Sequence, residues 1–160
     1  MKVLAFSALV NALAATGLGM FVYFRDPAAP RNRIYGLYCL SIACWSIFYC
    51  GWQLTESREL ALSLLRLVMA GAALIPILYF HHTVTFLDIA AGHAKALKIG
   101  YGLAVLFLLA DTTPWFVAGV HPAMSFSFWP VPGLFFHPFL LYFLWYVAYA
   151  TSLVGCALRD

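Results

Sequence analysis

What most constrains this chain is the length of its unbroken apolar runs. Between Lys2 and Arg25 there is no charged residue, and a helix needs about 20 mostly apolar residues to cross the hydrocarbon core of a bilayer. The first run covers about 3–24, and four more follow at about 34–54, 60–87, 94–110 and 134–158. A membrane β-strand would alternate polar and apolar residues over about ten positions. These runs are instead apolar all round, with small residues such as Ala15, Gly19, Gly71, Ala72 and Ala73, which let helices approach closely in lipid. The fold class read from this is an all-α integral membrane protein of five transmembrane helices, with residues 1–160 as a single transmembrane domain.

Composition excludes the alternatives. The chain is 64% hydrophobic, 18% aromatic and 9% charged, with a mean hydropathy of +0.90; soluble domains average about 45–50% apolar and about 25% charged residues. A soluble enzyme, a disordered regulator and a secreted disulfide scaffold are ruled out. The net charge of +3 forms no basic cluster with interleaved aromatics, so nucleic acid is not an expected partner. Cys39, Cys44, Cys50 and Cys156 fall inside apolar runs without metal-ligand spacing and read as packing residues.

The ends of the runs fix the expected topology. The first stops at Arg25-Asp26-Pro27, and Pro27 and Pro30 forbid continuation, so the DPAAPRNR stretch reads as a turn. The run reaches Phe24 and is followed by arginines, which favours a retained helix over a cleaved signal peptide. The third run, about 28 residues, would be roughly 42 Å long as a straight helix, and Pro76 is its expected kink. Arg25, Arg31, Arg33, Lys95, Lys98 and Arg159 fall in alternate loops and therefore on one side. By the positive-inside bias the N-terminus lies outside and the C-terminus in the cytoplasm. The segment 111–133 is then an outer loop without Lys or Arg; Trp115, Phe116, Phe126, Phe128 and Trp129 suit the membrane–water boundary. It reads as a cap, or as part of an apolar ligand mouth.

Ionisable groups at membrane depth are functional-site candidates, and depth sorts them into two layers. Arg66, Asp111, His121 and His137 form the outer one. Arg66, Asp111 and His137, with Trp52, Gln53 and Trp115, are the candidate lining of an outward pocket for a small polar or amphipathic ligand. Alternatively Arg66 snorkels to the interface or pairs with Asp111 to hold two helices together. The inner layer is His81, His82 and Asp88, with His93 nearby; Arg25, Arg31 and Arg33 suit inner-leaflet phosphates or a partner. Adjacent helical histidines point about 100° apart, and His137 is offset from His81 and His82 by on the order of 15–20 Å along the membrane normal. A bis-histidine haem therefore does not fit, whereas a pigment needing one axial ligand is not excluded; no cofactor and no metal are expected. Neither G-x-S-x-G, H-E-x-x-H nor a Walker A loop occurs, and no catalytic residue is assigned.

Several polar, proline and tryptophan positions resemble a known family. They are Asn11, then Val22-Tyr23-Phe24-Arg25-Asp26-Pro27 with Pro30, Asn32 and Arg33, then Leu40 and Trp45-Ser46-Ile47-Phe48-Tyr49. Arg66-Leu67, Gly71, Pro76, Tyr79-Phe80-His81 and Pro132-Gly133 continue the pattern. In these the chain is similar to the N-terminal seven-helix region of bacterial histidine kinases and diguanylate cyclases. The resemblance implies an outside N-terminus, an inside output end and signal perception within the membrane. The family has seven helices and a cytoplasmic output domain, whereas five helices and no output domain are read here. The chain is then a piece of a longer sensor or a stand-alone sensor-like module. From its architecture and its excess of aromatic residues it reads alternatively as an accessory transmembrane subunit of a photosynthetic or respiratory assembly. Its expected partners are the lipid bilayer and other transmembrane helices or subunits. A transporter half is a weaker third reading, favoured only by Pro76 at mid-membrane.

Overall fold

The computed structural model describes residues 2–124 and 126–159. Its elements run α1 (Lys2–Arg25), α2 (Pro30–Leu54), α3 (Arg58–Phe86), a 3₁₀ turn (Ala90–His93), α4 (Ala94–Asp111), β1 (Val117–Ala123), β2 (Phe126–Pro132) and α5 (Phe136–Ala157). The five long helices, with the 3₁₀ turn counted into the fourth, are each long and apolar enough to cross a membrane. Large side chains such as Val3, Phe6, Phe21, Leu141 and Trp145 stand exposed on the outside of the bundle, which is compatible with a multi-pass membrane protein.

Local chemistry sets the boundaries. The turn after α1 is shorter than its sequence suggests, because Pro30 opens α2 rather than preceding it; proline suits the first helical position, where its missing N–H costs nothing. Arg31 and Arg33 therefore lie on the first turn of α2, and only residues 26–29 form the loop. Asp26 Oδ1 accepts from the Ala28 amide at 3.0 Å, Asn32 Nδ2 donates to the Asp26 carbonyl at 3.1 Å, and Arg33 Nε donates to the Pro27 carbonyl at 2.6 Å. Ser57 caps α3 by accepting from the Leu60 amide at 3.4 Å. Beyond the end of α3, Asp88 adopts a left-handed conformation with φ 56°, which Asp tolerates better than most residues.

α3 is the hub. It packs against α2, α4 and α5 and touches both strands, while α1 packs chiefly on α2. Small residues set the α1–α2 distance: Ala5, Ala8, Ala12, Ala15 and Gly19 are the buried face of α1, against Cys39, Ala43 and Ser46 of α2. Midway along, Asn11 Nδ2 donates to Ser46 Oγ at 2.7 Å. Aromatic side chains fill the space around α3 on its other side. Phe80 meets Tyr146 edge-on at 5.4 Å and stacks on Tyr149 at 5.1 Å, and Phe107 of α4 sits 5.3 Å from Tyr142 of α5.

Pro76 lies inside α3, which continues through it as one helix. It has no N–H to give the Ala72 carbonyl, and its ring crowds the preceding turn. Tyr142 of α5 donates its hydroxyl to the neighbouring Ala73 carbonyl at 3.0 Å. A side chain from another helix thus supplies a donor to a backbone group beside the break.

The segment 111–133 departs from the all-helical expectation of an aromatic loop. β1 and β2 pair antiparallel, with His121 opposite Trp129 and Val120 opposite Pro130, and the turn carries Met124 at φ 48°. The base of this hairpin is closed by Gly133 N donating to the Phe116 carbonyl at 2.9 Å and Phe135 N to the Trp115 carbonyl at 2.8 Å. A Cβ at Gly133 would run into the Pro114 and Trp115 carbonyls, so glycine is required there by close approach. The alternation Phe126-Ser127-Phe128 is a strand period. Pro132 ends β2, Pro122 sits at an irregularity of the ladder and Pro130 lies within β2; a two-stranded ribbon, in which both strands are edges, accommodates them.

Candidate functional site

The hairpin covers one end of the bundle, and the polar groups read from the sequence as an outer layer lie at that end. Trp52, near the end of α2, anchors the cover: its Nε1 donates to the Phe128 carbonyl at 2.9 Å. Its ring stacks on Phe126 at 6.0 Å with an interplanar angle of 6°, and Tyr49 and Trp129 flank it. Beneath lies a cavity of about 10 Å³ lined by Trp52, Gln53, Thr55, Phe126, Ser127 and Phe128, room for at most a single water.

Gln53 faces this space in an unusual state. Only 3% of its surface is exposed, and neither its Oε1 nor its Nε2 has a hydrogen-bond partner. Two helices away the same condition recurs. Asp111, the last residue of α4, is buried, and its Oδ1 is without a partner. Its charged neighbour is Arg66, yet the guanidinium donates through Nη1 to the Thr112 carbonyl at 3.5 Å, while its Nε is buried without a partner. Each buried polar group left unmade costs roughly 1–3 kcal/mol. Four of the six unpartnered buried side-chain atoms among the described residues belong to Gln53, Arg66 and Asp111.

The six residues expected to line an outer pocket divide. Trp52, Gln53 and Asp111 are buried and Arg66 is half-buried, whereas Trp115 and His137 are exposed. Trp115 stacks on Phe135 at 6.2 Å on the outer side of the hairpin base, and His137 meets Phe136 edge-on at 6.1 Å. His121 is exposed on β1. Phe126 and Phe128, read from the sequence as part of a cap or an apolar ligand mouth, line the cavity together with Thr55 and Ser127, which sequence reasoning missed; the Phe126-Ser127-Phe128 alternation was the available clue to the strand.

At the opposite end, the inner-layer residues also separate. His81 Nδ1 lies 2.7 Å from the Tyr101 hydroxyl of α4, while the His82 ring packs 5.0 Å from Tyr35 of α2 with its Nδ1 unpartnered. The two histidines therefore serve different helices, as a 100° step demands. Asp88 is exposed in the turn after α3 and does not join them; its left-handed backbone directs it to the connection rather than to the helix interface. His93 Nδ1 lies 3.0 Å from the Ile89 carbonyl. Arg25, Arg31 and Arg33 are all exposed at this end. Among the described residues no group of three or more His, Cys, Asp or Glu side chains could hold a metal ion.

In comparisons with known proteins, the chain matches no family model, no curated protein and no solved structure.

Proposed function

We propose that this chain is a non-catalytic, multi-pass membrane sensory module of the kind that its polar and proline pattern resembles in bacterial histidine kinases. In this reading the N-terminus and the hairpin face outward across a bacterial inner membrane, and the Arg25–Arg33 end faces the cytoplasm. One observation carries the proposal: Gln53 is almost wholly buried under the hairpin with its entire amide unpartnered. A buried amide without a partner costs stability, and a ligand that pairs with it would complete the site. Arg66 and Asp111 at the same end supply a cation and an acid for a small polar or amphipathic ligand.

The cavity of about 10 Å³ does not admit such a ligand as it stands. Entry requires the hairpin to move, and the hairpin is tied to α2 through Trp52. A ligand that favours the lifted state shifts the balance between two packings of α2 on α3 by its differential affinity. The test is thermal stability of the purified protein across candidate ligands, with Arg66→Ala and Gln53→Leu alongside. A ligand that raises the midpoint of the wild type but of neither variant supports the site; equal responses in all three overturn it.

A second reading, an accessory transmembrane subunit of a larger assembly, is favoured by the groove of about 450 Å³ between α4 and α5. It is lined by Leu103, Leu106, Leu141 and Trp145 among others and would seat a partner helix. Gentle solubilisation followed by sizing separates the two readings, since a stable co-purifying chain is expected only of the subunit.

A further inference from the structure

A large apolar cavity lies far from the hairpin. It is an apolar groove of about 530 Å³ between the ends of α1 and α2 nearest their connecting turn. Gly19 forms its floor: a Cβ there would stand 2.7 Å from Cys39 Cβ, so the two backbones touch at that point. Thr16, Phe24 and Leu37 rise on either side, and all three are exposed. Arg33 is the one charged residue in the lining.

The charge around the mouth is one-sided. Arg25, Arg31 and Arg33 are exposed there, and the single acid, Asp26, is folded into the turn by its bond from the Ala28 amide. Three positive charges less one negative leave +2 on a nine-residue stretch. The Arg33 guanidinium is held at its base by the Nε bond to the Pro27 carbonyl, which leaves both Nη groups to donate outward. An apolar trough of this size matches one acyl chain, and a fixed guanidinium at its end matches a phosphate.

We propose that this groove is a binding site for one anionic glycerophospholipid, an acyl chain lying between α1 and α2 and the headgroup phosphate on Arg33. The proposal rests on the membrane reading above but not on the hairpin site, and it holds whichever face of the membrane the turn occupies.

The experiment is native mass spectrometry of the detergent-purified full chain, with phosphatidylglycerol and phosphatidylcholine of matched chains in equal amounts. One phosphatidylglycerol is expected to stay bound in preference to phosphatidylcholine. Arg33→Gln should reduce that preference roughly fivefold, and Arg33→Lys should keep most of it. Thr16→Trp, on the exposed wall of the groove, should abolish retention of both lipids, with helical circular dichroism showing that each variant is folded. If Arg33→Gln disturbs the turn, Thr16→Trp and Arg33→Lys still decide. Equal retention of the two lipids, or a preference unchanged in Arg33→Gln, overturns the proposal. So does a dimer that Thr16→Trp dissociates with no lipid bound, which assigns the groove to a second copy. Release of the chain from membranes by alkaline carbonate would instead overturn the membrane reading itself, independently of lipid preference.

Discussion

The hydroxyl of Tyr142 donates to the carbonyl of Ala73 at 3.0 Å, joining α5 to α3 one residue past the carbonyl that Pro76 leaves without its helical donor. Removing the donor while keeping the ring isolates this bond. Tyr142→Phe should lower stability by about 1 kcal/mol, near the usual worth of an interhelical hydrogen bond in membranes, as read from reversible unfolding in mixed micelles. No change in stability would mean that the backbone beside Pro76 finds another partner.

Trp52 ties the hairpin to the bundle through one hydrogen bond and one stacked ring. Trp52→Phe keeps most of the stacking and loses the N–H. Hydrogen–deuterium exchange should then quicken over residues 126–132 while α3 stays protected. Uniformly faster exchange would show that Trp52 supports the whole bundle rather than its cover.

Gln53→Leu should stabilise the ligand-free protein. The substitution removes two unpartnered buried atoms at similar volume, and such replacements are neutral or favourable. A thermal midpoint at or above that of the wild type is expected. A clear fall would show that Gln53 already has its partner, and the ligand-site argument would fail with it.

Gly133 sits against the Pro114 and Trp115 carbonyls. A methyl group there forces the hairpin base apart, and overpacking of this kind costs about 1–3 kcal/mol. Gly133→Ala is expected to open the hairpin, so that trypsin-independent proteolysis by chymotrypsin cuts near Phe126 and Phe128. An unchanged digestion pattern would contradict the tight closure.

Sidedness has its own measurement. In a cysteine-free background, a single cysteine at Arg31 should resist a membrane-impermeant thiol reagent in sealed cells and react after permeabilisation. One at His121 should react in both. The reverse pattern would invert the proposed orientation and place the hairpin end at the cytoplasm.

The helices were legible because a bilayer-length apolar run is a coarse, strong pattern that tolerates errors of a few residues. Pro30 shows where it blurs: a proline marks either an end or a beginning, and only the backbone geometry decides between them. The hairpin was hidden because four prolines in 111–133 outweigh a short alternation such as Phe126-Ser127-Phe128, and strands of this kind depend on what they pack against. Depth along a helix placed Gln53, Arg66 and Asp111 at one end. Direction around the helix was invisible, so Trp115 and His137 were grouped with residues from which they point away. The contact between Asn11 and Ser46 was not legible, since a lone serine in an apolar run gives no hint of which side chain reaches it.

The meeting of α1 and α2 is smooth nearly everywhere, alanine and glycine on one side, cysteine, alanine and serine on the other. Among the described residues its one side-chain hydrogen bond is Asn11 to Ser46, about halfway along α1. The far end of α1 is fixed by the hydrogen-bonded 26–29 turn and by Gly19 seated on Cys39. Among the described residues the stretch before Asn11 is therefore held to α2 by packing alone, and it is where α1 parts from the bundle at the least cost.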